Sequence, residues 1–200
     1  MLVREVMTTP AITVRVDDTV RYAAELLLSH RIASAPVLDG DDQLVGIVSE
    51  ADLLRGRTER DPRAHLRPAD AERDLPATLV ADVMTSRPLW VRAGADVDDA
   101  ARLLLDHGIK AAPVCDGRRV VGVVARRDLL RSFARPDDDI RRDVLRLLDE
   151  LGQGTDWHVD VDDGVVAVSG PHPERRQRIA AVLARTVPGV VRVRQNGELP

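Results

Sequence analysis

Two stretches hold side chains at spacings that suit chemistry: Gly46 to Asp52, reading GIVSEAD, and Gly122 to Asp128, reading GVVARRD. Each passes from glycine through two apolar residues to a terminal aspartate, the pattern of a strand that turns into a helix. The first N–H groups of a helix lack intrahelical partners and carry partial positive charge, so such a junction attracts an anion. Ser49 and Asp52 also admit a structural reading. Serine followed three residues later by an acid is close to a capping box, in which the hydroxyl caps the helix and the carboxylate reaches back to the serine N–H. In the second stretch Ala125 replaces the serine, Asp128 persists, and Arg126 and Arg127 stand between them. Guanidinium groups there would hold a polyphosphate bidentately, or else turn to solvent.

Other chemistry-bearing residues carry less. His30 and His107 fall at matching helix ends, where an imidazole more readily satisfies terminal carbonyls than binds metal. Cys115 follows Pro113 on an apolar stretch and reads as a buried thiol, with an intermolecular disulfide or a metal as the minority alternative. The sequence has no nucleophile and base at a motif spacing, no metal-ligand cluster and no GxxxxGK[ST] loop, which argues against an enzyme.

The elements that position these residues come from an internal repeat. VREVMT at Val3 matches VADVMT at Val80, TVRYAAELLLSHRIASAPV at Thr19 matches DVDDAARLLLDHGIKAAPV at Asp96, and LVGIVSEADLLR at Leu44 matches VVGVVARRDLLR at Val120. The offset is 77 at Met7 and Met84 and 76 at Gly46 and Gly122, so one unit is duplicated with a small deletion. Within each unit a short extended piece, ITV or LWV, precedes a helix. Its apolar positions, Val20, Ala23, Ala24, Leu27 and Leu28 or Val97, Ala100, Ala101, Leu104 and Leu105, follow one helical face. Thr19 and Asp96 are suited to cap these helices, and Gly108 to end the second. Two apolar strands and a short closing helix complete a β-α-β-β-α unit. One such unit leaves a sheet face poorly covered, so two copies are expected to pack face to face about a pseudo-twofold axis. The boundaries expected are 1–55 for the first repeat, a charged, proline-bearing linker over 56–79, and 80–135 for the second.

Composition limits the function classes. The chain of 200 residues is 44% hydrophobic, enough for a real core, and its formal net charge of -4 gives nucleic acid no electrostatic footing. A single cysteine excludes an internal disulfide framework. Lys110 is the only lysine, and arginine carries the remaining positive side-chain charge. The opening MLVREVMTTP lacks the apolar run of an export signal, and no stretch approaches the ~18 apolar residues of a membrane span, so a cytoplasmic location is expected.

On these residues both repeats resemble CBS domains, and together they resemble a tandem CBS pair, or Bateman module. VMTTP and VMTSRP, the TVxxAAxLL helix, HRIASAPV and HGIKAAPV, and the closing GIVSEADLL and GVVARRDLL carry the likeness. The resemblance implies an α+β fold and an adenosyl ligand, AMP, ADP, ATP or a relative, in the cleft between repeats. Asp52 and Asp128 would accept from ribose hydroxyls, and Ser49 would face a phosphate. Thr13 and Trp90 occupy matching positions where Trp90 can stack on adenine, although packing or an interface is the commoner use of such a tryptophan. Ile32 and Ile109, in the HRIASAPV and HGIKAAPV motifs, are further matching binding candidates. Ala125 cannot cap through its side chain, so the persistence of Asp128 favours ribose binding over a reciprocal cap.

From Asp137 the pattern changes. DDDIRRDVLRLLDEL places Ile140, Val144, Leu147, Leu148 and Leu151 on one helical face, and WHVDVDDGVVAVSG reads as a hairpin turning at Asp163 and Gly164. A second helix, PERRQRIAAVLARTV, stopped by Pro188 and Gly189, and a final strand VVRVRQN complete a small α-β-β-α-β domain over 137–200. With DGVVAVSG and PGVVRVRQN at its turns, it resembles a BON domain. Its acidic residues outnumber its arginines, which argues against polybasic attraction to a membrane and favours contact with a protein or a second copy of the chain. The expected function is a cytoplasmic, homodimeric sensor: no certain cofactor, an adenine nucleotide as regulatory ligand, and a BON-like domain that relays binding to a protein partner. The alternative is a ligand-free dimerisation scaffold whose BON-like domain binds a protein or envelope partner.

Overall fold

In the computed structural model, which describes residues 1–55, 77–150 and 156–194, both repeats follow the β-α-β-β-α order read from the sequence. The first runs β1 (Val14–Arg15), α1 (Val20–His30), β2 (Ser34–Leu38), β3 (Leu44–Ser49) and α2 (Glu50–Leu54). After α3 (Val80–Val83) and β4 (Thr85–Ser86), the second runs β5 (Val91–Arg92), α4 (Val97–Asp106), β6 (Ala111–Asp116), β7 (Arg119–Ala125) and α5 (Arg126–Phe133). The C-terminal third adds α6 (Asp137–Glu150), β8 (His158–Asp162), β9 (Val165–Ser169), α7 (Glu174–Ala184) and β10 (Arg192–Arg194). Most of the predicted linker, and Leu151 of the predicted helical face, lie outside the described residues.

The caps act as expected. Thr19 accepts the Tyr22 N–H at 3.1 Å and Asp96 that of Asp98 at 2.8 Å. Val20, Ala23 and Leu27 are buried on α1, as are Val97, Ala100 and Leu104 on α4. Leu28 and Leu105, the last positions of each predicted stripe, are 77% and 63% exposed, so the buried face is narrower than the periodicity implies. Gly108 follows α4 at a left-handed φ of 65°, and its counterpart after α1, Arg31, takes nearly the same turn at 54° without glycine's freedom.

Contacts divide the chain into two compact units. One comprises Thr8–Ala93 and Gly108–Val123; the other comprises Met1–Met7, Gly94–His107 and the chain from Val124 onward. The first contains the four-stranded sheet β1-β2-β3-β4, in which β1 runs parallel to β2 and the other neighbours are antiparallel. Its core joins Val14, Val37 and Val48 of the strands to Val20, Ala23 and Leu27 of α1, with Val80 of α3.

The VxxVMT segments pack crosswise. Although the sequence pattern opens the second repeat at Val80, β4 extends the first repeat's sheet, with Thr85 opposite Ile47, and Leu79 bridges to Thr19. The first copy does the reverse: Thr8 exchanges backbone hydrogen bonds with Val123 at 2.9 and 3.0 Å, and Leu2 bridges to Asp96. Gly46 shows why the motif begins with glycine. A β-carbon there would collide with the Met84 sulfur and come within 3.2 Å of the Thr85 carbonyl oxygen.

The C-terminal elements belong to the second unit. β9 pairs antiparallel with β8 and parallel with β10, and α7 makes the crossover between the parallel strands. Val159 and Val161 are buried while His158, Asp160 and Asp162 are exposed, the period-two alternation of a sheet covered on one face. Ile140, Val144 and Leu148 of α6 and Ala180, Ala181 and Ala184 of α7 cover that face. The β8–β9 turn falls where predicted, with Asp163 at φ 48° and Gly164 at φ 74°, and the Asp137 carboxylate accepts both of their N–H groups at 2.9 Å. The second helix ends at Ala184, short of Pro188: Thr186 and Val187 donate three residues back, to Leu183 and Ala184, in tight turns.

Candidate functional site

The GIVSEAD motif lines a pocket of about 370 Å³ within the first unit. Ala33 and Ser34 enter from the start of β2, Ile47 and Ser49 from β3, and Glu50, Ala51 and Asp52 from α2. The opposite wall is drawn from the second repeat. β4 and the chain after it bring Thr85, Arg87, Pro88 and Leu89, and the approach to β6 brings Gly108 to Ala111, including Ile109 and Lys110. Crosswise packing therefore builds the pocket, because β4 reaches it only by pairing with β3.

Asp52 lines the pocket with a carboxylate only 7% exposed. Its Oδ2 accepts the Ser49 hydroxyl at 2.6 Å and the Ser49 N–H at 3.0 Å, and the Asp52 N–H points to the Ser49 oxygen at 3.4 Å. The capping box is thus formed, and the serine proton is committed to the aspartate. Oδ1 lies 3.7 Å from a guanidinium nitrogen of the exposed Arg55. That contact is long for a hydrogen bond, so Oδ1 retains acceptor capacity. Across the pocket, the Lys110 ammonium lies 3.8 Å from the Glu50 carboxylate.

The second motif keeps half of this arrangement. Asp128 is 5% exposed, and its Oδ2 accepts the Ala125 N–H at 2.9 Å. The reciprocal cap requires only the backbone N–H of residue 125, so the persistence of Asp128 has a structural cause that the serine-to-alanine comparison overlooked. Arg126 is half-buried and donates to the Leu104 carbonyl at 2.8 Å, in the last turn of α4, where a cation is favoured. Arg127 is exposed.

The remaining candidates disperse. Ile109 lines the pocket, whereas Ile32 packs against the first repeat's core. Thr13 is half-buried, and Trp90, 41% exposed, follows the pocket residue Leu89 without lining the pocket itself. Cys115 is buried, which pushes its thiol up to about 11 and keeps it protonated. Sequence reasoning missed Glu50, Arg87, Leu89 and Lys110. The isolation of Lys110 among arginines was the one available signal; Arg87 gave none, because only crosswise pairing carries it here.

Known proteins resemble the part of the chain that holds both motifs. A family model described as CBS domain covers residues 3–59 and 80–135. The CBS domain-containing protein CBSX1, chloroplastic, of Arabidopsis thaliana is 35% identical over 135 residues, which span 60% of this chain and 57% of that protein. Among solved structures, the CBS domain pair of protein MJ0100 in complex with 5'-methylthioadenosine and S-adenosyl-L-methionine has a TM-score of 0.54 at 27% identity, covering 66% of this chain and 95% of the other. CBSX2 in complex with AMP has a TM-score of 0.53 at 29% identity, covering 66% and 94%. Among the described residues no helix is long and apolar enough to cross a membrane, and no cluster of side chains suits a metal ion.

Proposed function

Because this chain belongs to the CBS domain family, we propose that it is a regulatory module that binds an adenosyl ligand in the Ser49/Asp52 pocket and catalyses no reaction of its own. The observation that carries this reading is the buried Asp52 carboxylate in the lining of a pocket of about 370 Å³, with acceptor capacity left on Oδ1. A ribose supplies two adjacent hydroxyl donors for such an acceptor. Ile47, Leu89 and Ile109 offer the apolar surface an adenine ring needs. The adenosyl ligands of the MJ0100 and CBSX2 structures support the same class of ligand here. The second motif offers Asp128 in the same way, but with Arg126 held on the Leu104 carbonyl we assign it the weaker site, with Arg127 as its phosphate contact.

The segment from α6 to β10 is the proposed output element. Its order matches the BON-like reading, and we assign it contact with a protein partner or a second copy of the chain. The test of the central assignment is calorimetric titration of AMP. Wild type should bind saturably, and Asp52→Ala, which forfeits hydrogen bonds to a charged acceptor worth about 1.5 to 3 kcal/mol each, should bind at least roughly tenfold more weakly. Equal affinity in a folded variant would remove Asp52 from the site.

A further inference from the structure

We propose that Arg87 sets the charge of the ligand, so that this pocket takes an adenosine bearing one phosphate in preference to an uncharged adenosine thioether. The inference rests on the adenosyl reading above and assigns a residue that the GIVSEAD motif does not contain. Asp52 and Glu50 both line the pocket, and the Ser49 proton expected to face a phosphate is instead committed to Asp52 at 2.6 Å. None of these three side chains offers a free donor to a phosphate, so the charge contact falls to the cations of the lining. Two cations line the pocket. Lys110 is already opposed by Glu50 at 3.8 Å, whereas Arg87 has no acidic partner among the described residues.

The Arg87 backbone is also set by its neighbours. It stands directly after β4, its N–H donates to the Val45 carbonyl at 3.3 Å, and its φ of 55° lies in the region that side-chain-bearing residues avoid. A planar guanidinium there matches a phosphate bidentately, which a lysine does not. The pocket, at about 370 Å³, lies near the lower end of the ~300–1,000 Å³ range of small-molecule sites. A nucleoside with one phosphate suits that volume.

The test titrates AMP and 5'-methylthioadenosine into wild type and Arg87→Gln at low and high salt, with thermal unfolding as the control for folding. Wild type should prefer AMP, and added salt should erode that preference. Arg87→Gln should lose about ten- to a hundredfold in AMP affinity while binding the thioether as wild type does, so that the preference collapses. An AMP preference that survives the substitution overturns the role of Arg87 alone. Binding of neither nucleoside to wild type removes the adenosyl reading, and this inference with it.

Discussion

Arg135 shows how single side chains set the pH response of the C-terminal third. It donates to the Pro188 carbonyl at 2.7 Å and to the Asp143 carboxylate at 2.6 Å, joining the start of α6 to the turn before β10. That hydrogen bond, helped by the charges of Arg135, Arg146 and Arg142, lowers the Asp143 carboxyl below its ordinary value despite the opposing effect of burial. A depressed folded-state value means stability that is present above the unfolded value and lost as pH falls through the folded one. Arg135→Gln should therefore weaken the protein at pH 7 and flatten its loss of stability in acid, below about pH 4. Urea unfolding at pH 7 and pH 3 checks this, and an acid sensitivity as steep as wild type's would contradict it. At this scale the sequence showed which residues were chemical but not how they are engaged. Ser49, Asp52 and their capping box were legible; that Asp128 keeps the same backbone bond without a serine, and that Arg126 leans on Leu104, depends on contacts that residue types do not encode.

Elements were more legible, because helix and strand periods report which face is buried. They do not report which repeat supplies the covering element, and the crosswise exchange of the VxxVMT segments escaped the sequence for that reason. Gly46 is where the exchange is tightest. Gly46→Ala should cost about 1–3 kcal/mol, since its new methyl meets both Met84 and the Thr85 carbonyl. Shortening Met84 as well should recover part of the loss, so the double variant should be non-additive in chemical denaturation; strict additivity would show that the two residues do not interfere. Arg31 offers the opposite sign. Glycine at this left-handed position, as the second repeat has in Gly108, should stabilise the end of α1 by about 1 kcal/mol, read as a rise in the denaturation midpoint. A midpoint that falls would mean that the arginine side chain contributes more than its backbone strain costs.

For the whole molecule, the closing helices expose what they do not bury. Leu53 and Leu129 are each 6% exposed, yet Leu54 and Leu130 stand 61% and 66% in solvent. We expect a second copy to cover them, so that light scattering at micromolar concentration gives a dimer that Leu54→Arg with Leu130→Arg dissociates; a monomeric wild type would contradict this. The duplication, its class of fold and its GIVSEAD pocket were legible in the sequence because repeats and turn motifs are local patterns. The opposite pocket wall was not, because it depends on pairing across the chain. Lys110 gives a direct view of that wall, being the only lysine of the chain and a pocket residue. Reductive methylation with a ¹³C label keeps its charge and yields one lysine signal, distinct from the terminal amine. On titration with AMP the Lys110 signal should shift saturably in wild type and need a higher concentration in Asp52→Ala, whereas a signal that stays still in millimolar AMP would contradict nucleotide binding at this pocket.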